Sequence, residues 1–337
     1  MSISIDIVIL NYNTQGLLET LLPKVIEKSR MDGVSVVLAD NCSTDGSVAF
    51  VRSAFPEIEL IEIAENKGYA GGYNAALKNR KADYFILLNS DAEPEANWLE
   101  PLVDLIERDP SIGAIQPKLL DYYQRNKFEY AGACGGFIDK FGYPFCRGRI
   151  FGNVEVDQKQ YDDVQELFWA TGACFLVRRV AWEKAGGLDE TFFAHMEEID
   201  LCWRLQLLGY KILACPNSVV YHMGGGTLSN LSPRKTFLNF RNNLLMLHKN
   251  LHVSERDSVI FKRKLLDGLA ACFFILQGKI AHIPEVWKAH KAFDAMKLNT
   301  PTNPRAVLRK DLKGMMMQGL VWNYFARGKK VFSKLME

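Results

Sequence analysis

The sequence lacks the cysteine patterns that cross-link small secreted domains or bind zinc. Its seven cysteines are an odd number, and no two of them form a C-x-x-C pair. A disulfide framework and a structural zinc site both need such pairs, so the sequence argues against both. Four cysteines lie in apolar neighbourhoods and are predicted to be small buried side chains: Cys134, Cys174, Cys202 and Cys272.

Long hydrophobic runs are also absent. The longest uncharged apolar run, Leu269 to Leu276, is far shorter than the ~20 residues of a membrane-spanning helix. The amino terminus begins with a strand pattern instead of a charged and then apolar leader, which predicts no signal peptide. We therefore expect a cytoplasmic protein, either free or attached peripherally to the inner face of the cytoplasmic membrane.

Positive charge is scarce in the first two thirds of the chain and abundant in the last third. Residues 1–228 contain 21 Lys and Arg against 32 Asp and Glu, a net charge of −11. Residues 229–337 contain 20 against 7, a net charge of +13. This asymmetry predicts that the last third meets an anionic surface. Its basic and aromatic residues are not interleaved as in single-strand-binding proteins, so we expect a membrane surface and no nucleic acid.

Strand and helix patterns alternate four times within the first hundred residues. Alternation of this kind predicts βαβ units, a Rossmann-like, mostly parallel sheet flanked by helices, and the α/β class. The strand patterns are Ile5–Leu10, Val34–Ala39, Glu59–Ala64 and Tyr84–Leu88. Helices are predicted to end at Phe50 and to span Ala75–Lys81, and the segment 115–168 is predicted to hold long loops or short antiparallel strands.

Each of these strands runs into a polar or glycine-rich turn. The carboxyl ends of parallel strands meet at one sheet edge, where open α/β sheets bind their ligands. The residues placed there are Asn11, Tyr12, Asn13, Asp40, Asn66, Gly68, Asn89 and Asp91. Asp91 is a hard oxygen ligand suited to a Mg²⁺ or Mn²⁺ ion that also holds a diphosphate. Asp40 is suited either to accept the N3–H of a uracil or thymine ring or to cap a helix.

Glycines 68, 71 and 72 are predicted to form a loop whose backbone N–H groups approach a ligand closely, although their spacing is not G-x-G-x-x-G. His222 follows a strand pattern and adjoins three glycines. A histidine in that position is a candidate ligand for a metal or a phosphate.

A cluster of acidic residues opens a later predicted helix. Glu197, Glu198 and Asp200 lie in its first turn, where the helix dipole favours negative charge. The dipole accounts for one or two of these carboxylates. A third in a partly apolar setting is expected to have a raised pKa, as a general base requires. Asp200 and Arg204, four residues apart, are predicted to form a structural ion pair.

The order of these segments resembles the inverting GT-A glycosyltransferases of family 2, in particular their rhamnosyltransferase-like branch. The resemblance runs from about Ile5 to about Leu251. The segments that carry it are I-V-I-L-N-Y-N, D-N-x-S-x-D-G-S, N-x-G-x-A-G-G-x-N, L-L-N-x-D-x-x-P, T-G-A-C-x-L-V-R-R, E-E-x-D-L-C-W-R and Y-H-x-G-G.

The resemblance implies a role for particular residues. Asp40 would contact the nucleotide base, Asn89 and Asp91 would correspond to the family's D-x-D metal signature, and His222 would be a further metal ligand. Glu198 falls at the position of the catalytic base. Trp169, Gly172 and Ala173 would border the acceptor site.

Two positions depart from the family pattern. Asn89 replaces the first acidic residue of D-x-D, so metal binding would rest on Asp91, His222 and the diphosphate. The base position holds a glutamate instead of an aspartate, which leaves Glu197 as an alternative base.

The resemblance therefore implies a hexosyltransferase that moves a sugar, rhamnose in this branch, from a dTDP- or UDP-linked donor to a glycan or lipid-linked acceptor in polysaccharide synthesis. Residues 1–228 would form the GT-A nucleotide-sugar-binding and catalytic domain. A nucleotidyltransferase is an alternative, but it would need a basic glycine-rich loop after the first strand, and Asn11–Thr14 carries no positive charge. A catalytically impaired nucleotide-sugar-binding or membrane-scaffold protein is a third.

Helical patterns recur in residues 229–337, which we interpret as a basic helical extension. They include Phe237–Leu247, Leu265–Leu276 and Val321–Val331. Two interpretations stay open: helices packed on the sheet with a solvated basic face, or an amphipathic platform on a membrane surface.

Overall fold

A computed structural model describes residues 3–224 and 232–337. The predicted domain boundary after residue 228 lies outside the described residues, as does the last glycine of the Y-H-x-G-G segment.

The structure contains two β-sheets in an α/β fold. The strands are β1 Ile5–Asn11, β2 Val34–Asp40, β3 Glu59–Glu62, β4 Tyr84–Asn89, β5 Ala92–Pro94, β6 Ile112–Asp121, β7 Gly136–Asp139, β8 Pro144–Cys146, β9 Arg149–Ile150, β10 Asn153–Val154, β11 Gln165–Glu166, β12 Cys174–Arg178, β13 Lys211–His222 and β14 Met315–Met316.

The larger sheet has the order β11-β13-β6-β12-β4-β1-β2-β3, with β5 paired to β13. Strands β3, β2, β1 and β4 are parallel neighbours, and β6 is parallel to β13. Strand β12 runs antiparallel between β4 and β6, so those two groups point the same way. The prediction of a mostly parallel sheet is confirmed.

The central strands are buried on both faces, as their continuous apolar sequences predict. Val8 and Leu87 belong to one hydrophobic cluster, whereas Ile7 and Ile86 belong to the other. The two clusters therefore lie on opposite faces of the sheet, and helices cover both.

The helices are α1 Gln15–Lys28, α2 Ser47–Ala54, α3 Gly68–Leu77, α4 Leu99–Glu107, α5 Arg179–Ala185, α6 Glu197–Leu207, α7 Pro233–Asn250, α8 Val253–Leu276, α9 Ile283–Met296 and α10 Phe332–Met336. None of the helices within the described ranges combines the length and apolar character needed to cross a bilayer.

The prediction of a glycine loop followed by a helix over Ala75–Lys81 is wrong. Helix α3 begins at Gly68 and ends at Leu77. A Cβ atom on Gly72 would lie 2.8 Å from the Leu10 side chain. The glycine therefore serves close packing of α3 against β1, which is a helical use of a residue that usually signals a loop.

The segment 115–168 contains short antiparallel strands, as predicted, although its first residues belong to the long strand β6. Strands β7 to β10 form the smaller sheet. Its fifth strand, β14, comes from near the carboxyl terminus and pairs with β7 in parallel. The last third of the chain is thus joined to the first part by backbone hydrogen bonds.

Two predictions for the last third are wrong, and one helix was missed. Residues 321–331 are not one helix, because the chain makes a single wide turn at Trp322–Ala326 and then bends at Gly328, whose φ of +67° is left-handed. Helix α9 was not predicted at all. Cys272 is exposed on α8, although its apolar neighbours predicted burial.

A buried ion cluster joins α6 to α7. Asp200 has no exposed surface, and it accepts hydrogen bonds from Arg204 Nε at 2.8 Å, Lys249 Nζ at 3.0 Å and Asn250 Nδ2 at 2.8 Å. Lys249 also pairs with Asp189. The predicted Asp200–Arg204 pair is confirmed, as part of a larger network.

Replacing Asp200 with alanine is expected to lower the free energy of unfolding by about 3–5 kcal/mol, because its buried cationic partners lose their counter-charge. Denaturant titration measures the change. Glu62→Gln is the matched control, since the Glu62–Arg52 pair is at least half exposed and is expected to contribute less than about 1 kcal/mol. Equal, small losses in both variants would contradict the prediction.

Candidate active site

The polar turns that follow β1, β2 and β4 lie side by side. Parallel register places Asn11 beside Asp40, and Leu10 beside Asn89. Asn11 is fully buried, and its Nδ2 donates to Asp40 Oδ1 at 2.7 Å and to Ser43 Oγ at 3.0 Å. The sheet edge expected from the sequence therefore exists as a connected polar network.

Asp40 is buried and stabilises the turn that follows β2. Its Oδ2 accepts the Ser43 N–H at 2.8 Å, so it caps no helix. That task falls to Asp45, whose oxygens accept the N–H groups of Gln15 and Ser47, the first residues of α1 and α2. Contact between Asp40 and a nucleotide base stays a prediction.

Tyr12 and Asn13 form the outer part of this edge. The Tyr12 side chain is exposed, whereas Asn13 is held by Ser43 and Thr44. Asn13 has a left-handed φ of 54°, which asparagine tolerates better than most residues. An exposed aromatic ring beside a buried carboxylate is a surface on which a planar ring can stack.

The turn after β3 is organised by Asn41, a residue that the sequence interpretation missed. Its Nδ2 donates to Asn66 Oδ1 at 3.1 Å and to the Gly68 carbonyl at 3.0 Å. Gly68 has a φ of +67°, and a Cβ there would lie 2.4 Å from the Phe193 carbonyl oxygen. Glycine is thus required where this turn meets the loop before α6.

Asp91, His222 and Asn89 converge on one point. Strand β5 pairs with β13 and places His222 opposite Ala92, the neighbour of Asp91. His222 Nε2 lies 2.9 Å from Asp91 Oδ1 and 3.3 Å from Asn89 Nδ2. Asp91 and His222 are both buried, with 5% and 4% of their surface exposed.

Glu129 is a further buried acid at this point, and no local sequence signal predicts it. Its Oε1 lies 3.2 Å from His222 Nδ1, an ion-pair distance without hydrogen-bonding geometry. Burial by itself lowers the pKa of His222, but the carboxylates of Asp91 and Glu129 offset this effect and raise the pKa to about 10. The imidazole thus lies between two negative charges.

These residues fit a divalent cation that is shared with a diphosphate. The described ranges contain no cluster of three or more His, Cys, Asp or Glu side chains with metal-binding spacing. Mg²⁺, however, is usually held by one or two carboxylates together with phosphate oxygens and water. Asp91 supplies the carboxylate, His222 a nitrogen once the cation has displaced its proton, and the Asn89 amide an oxygen if it is rotated.

Glu197 and Glu198 begin α6 with different exposures. Glu197 is 4% exposed, whereas Glu198 keeps more solvent contact, and an oxygen of each lacks a hydrogen-bond partner among the described residues. Burial raises the pKa of Glu198 to about 7, and burial with the neighbouring carboxylate raises that of Glu197. Glu198 is thus the less buried member of a pair with raised proton affinity, although its Oε2 atom is itself buried.

The loop before α6 is strained and is held by α7. Phe193, His195 and Met196 have positive φ values of 63°, 71° and 76°. Asn242, fully buried on α7, directs its Nδ2 to the carbonyls of Phe192, Ala194 and His195 at 2.8–2.9 Å. Left-handed non-glycine residues each cost about 1–3 kcal/mol, so such contacts are needed to keep the loop in place.

The turn at Gly172 and Ala173 links the two halves of the site. The Gly172 N–H lies close enough to the Glu198 carboxylate to lower its pKa, opposing burial. The Ala173 carbonyl accepts the Asn89 N–H at 3.0 Å. The candidate base and the candidate metal ligands therefore lie on either side of one turn.

Trp169 lies beneath this turn. Its ring is 3% exposed, and its indole N–H donates to the Phe137 carbonyl at 2.8 Å. Its role at an acceptor site stays a prediction, and any such role would be to support the turn from below.

An α/β sheet with its polar turns gathered at one edge is the arrangement in which open α/β folds bind their ligands. The solved structure of GalNAc-T7 with UDP, GalNAc and Mn²⁺ has this fold, with a TM-score of 0.57. The similarity covers 74% of this chain and 48% of that one at 16% identity, so it shows the fold alone. The predicted GT-A fold is confirmed.

The sequence model of Glycosyl transferase family 2 matches residues 6–184, more than half of the chain. The chain belongs to this family, and the resemblance noted above is confirmed. The N-acetylglucosaminyl-diphospho-decaprenol L-rhamnosyltransferase of Mycobacterium tuberculosis (strain CDC 1551 / Oshkosh) is 28% identical over 204 residues. That match covers 56% of this chain and 66%, just under two thirds, of the relative.

A longer match is to the low-salt glycan biosynthesis hexosyltransferase Agl10 of Haloferax volcanii (strain DS2). It is 25% identical over 289 residues and covers 83% of this chain and 87% of that protein. This similarity extends beyond the matched family segment into the last third of the chain.

Replacing Asn242 with alanine is expected to loosen the loop before α6 by about 1–3 kcal/mol of local stability, because the carbonyls of Phe192, Ala194 and His195 lose the hydrogen bonds that its amide donates. Amide hydrogen exchange should be faster at residues 193–199. Asn323→Ala is the control, since Asn323 is equally buried and donates to the Gln318 side chain and the Gly319 carbonyl. The same exchange pattern in both variants would refute the role of Asn242.

Proposed function

We propose that this protein is an inverting glycosyltransferase. It moves a sugar from a nucleoside-diphosphate sugar to a hydroxyl of a glycan or lipid-linked saccharide in cell-surface polysaccharide synthesis. The observation that carries the proposal is the Gly172–Ala173 turn, which contacts both Glu198 and Asn89. A base and a diphosphate site on either side of one turn can hold an acceptor and a donor face to face.

The reaction is a single displacement. Glu198 removes the proton from the acceptor hydroxyl, and the oxygen forms a bond to the anomeric carbon. The bond from that carbon to the diphosphate oxygen breaks on the opposite face, and the nucleoside diphosphate leaves with the electron pair. Attack and departure on opposite faces invert the configuration. Glu197 remains the alternative base, but its deeper burial favours Glu198.

Asp91, His222 and Asn89 would hold a Mg²⁺ or Mn²⁺ ion together with the donor diphosphate. The bound ion would neutralise the charge that develops on the leaving group. The likeness to a fold crystallised with Mn²⁺ supports a divalent metal.

The donor side comprises Asn11, Tyr12, Asn13 and Asp40, with Asn66 and Gly68 beyond them. Asp40 accepts the base N–H, and the exposed Tyr12 ring lies at the open edge. A dTDP-linked rhamnose is the donor that the mycobacterial relative's name supports, and UDP-linked hexoses are the alternative. Diphosphate release from a panel of nucleotide sugars tests the choice. Release from none of them would favour a binding protein without catalysis.

The acceptor side comprises Gly172 and Ala173, with Trp169 below. The mycobacterial relative is named for a substrate on a decaprenol carrier, which supports a lipid-linked acceptor here. The basic extension, residues 229–337, would hold the catalytic part, residues 1–228, against the inner face of an anionic membrane. Each Lys or Arg near such a surface adds about 1 kcal/mol, and this third has an excess of 13 positive charges.

Replacing Asp91 with alanine is expected to abolish Mg²⁺- or Mn²⁺-dependent binding of the nucleotide sugar, because the diphosphate loses its buried carboxylate-bound counter-ion. Calorimetric titration with and without EDTA measures this. Asp83→Asn, near the opposite end of β4, is the control and should bind normally. Full affinity in Asp91→Ala would overturn the metal assignment.

Replacing Glu198 with glutamine keeps the shape of the side chain and removes its basicity. Turnover should fall by about two orders of magnitude or more, with donor binding nearly unchanged. The wild-type rate should rise with pH through about 7, because the base works only when deprotonated and its pKa is raised. If Glu197→Gln shows the loss and Glu198→Gln does not, Glu197 is the base.

A further inference from the structure

The carboxyl-terminal half of α8 and the turn that follows it expose an apolar face, although Phe274 packs against Phe240 on α7. Between residues 268 and 281, Lys279 is the single charged residue. Most of the large side chains of this segment are exposed, including Leu269 at 63%, Leu276 at 83% and Ile280 at 69% of their surface. Soluble proteins rarely leave a contiguous apolar patch of this kind without a partner.

The other half of α8 is firmly attached. Arg263 and Asp267 are buried and joined by a 2.7 Å hydrogen bond, and Val259 is 2% exposed. Arg263 also binds the side chain of Asn243 on α7. The exposed half of α8, after Asp267, is therefore the continuation of an anchored helix.

Aromatic side chains extend the patch. The Phe273 and Phe325 rings lie 5.6 Å apart, and Trp322 is 64% exposed. We call the surface formed by Leu269, Phe273, Leu276, Ile280, Trp322 and Phe325 the apolar tip.

The charges around the apolar tip distinguish between two possible partners, a second copy of the chain and an anionic bilayer. The exposed basic residues Lys279, Arg327 and Lys330 belong to the same segments as the tip. The nearest acidic residue before the tip segment of α8 is Asp267, which is buried and paired. A second copy of the chain would bring like charges together, whereas an anionic bilayer offers an apolar layer beneath a negative surface.

We propose that the apolar tip inserts into the boundary between headgroups and acyl chains of an anionic bilayer, with the adjacent Lys and Arg side chains on lipid phosphates. Tryptophan, phenylalanine and snorkelling lysines are the residues that favour this depth. The tip would be the part of the chain that meets the membrane, and its purpose rests on the proposed function. It also adds an apolar contribution to the electrostatic one.

Vesicle flotation tests the insertion. The wild-type protein should bind vesicles of phosphatidylglycerol and phosphatidylcholine, and high salt should weaken this binding without abolishing it. The double substitution Leu276→Asp and Ile280→Asp should reduce binding at least about tenfold, because it places charge in the apolar layer. In brominated lipid, fluorescence should be quenched in the wild type and much less in Trp322→Phe.

Val156→Asp and Val164→Asp together provide the control, since both valines are exposed in the first part of the chain. This variant should bind vesicles like the wild type. Absence of wild-type binding, or equal binding by the tip variant, would overturn the proposal. So would a wild-type dimer that the tip substitutions dissociate. The tip variant should bind the nucleotide sugar like the wild type when no vesicles are present. If neither protein binds the nucleotide sugar, the proposed function is contradicted, but the proposed insertion is not.

Discussion

The packing of α6 against α7 is the constraint on which the candidate site depends. Asp200 has no contact with solvent, and its carboxylate accepts hydrogen bonds from Arg204, Lys249 and Asn250. A buried carboxylate without partners is strongly destabilising, so α6 has essentially one orientation in this fold. That orientation sets the position of the first turn of α6, and hence of Glu198, relative to the Gly172–Ala173 turn.

The same region contains several unfavourable features close together. Glu197 and Glu198 lie at a helix amino terminus, where the dipole favours their charged forms. Their pKa values are nevertheless raised, so burial outweighs the dipole. Left-handed residues precede them, and Asn242 offsets part of that strain. The backbone and burial preferences of single residues are thus violated next to the candidate base. The contacts that stabilise this region come from α7, which is distant in sequence.

The sequence predicted the features that arise locally. The buried strands and their polar turns follow from short apolar runs, and parallel register alone brings Asn11 to Asp40. Glu129 was not predicted, because it reaches His222 from an irregular segment whose path depends on tertiary packing. Asn242 was missed for a related reason: a polar residue on a helix is normally solvated, and nothing local reveals the carbonyls that it faces. Helix α3 was mistaken for a loop because close packing and turns both select glycine.

Helices α7 and α8 connect the site to the tip through side chains that have little freedom to move. Asn242 holds the loop before the candidate base, and its neighbour Asn243 binds Arg263 on α8. Arg263 in turn pairs with Asp267, immediately before the exposed segment begins. If the tip enters the bilayer, this path fixes the height of Glu198 above the membrane. A lipid-linked acceptor is also confined to a narrow range of heights, because its carrier is held by the acyl layer. A rigid connection then replaces part of the orientational search that a freely diffusing enzyme would need.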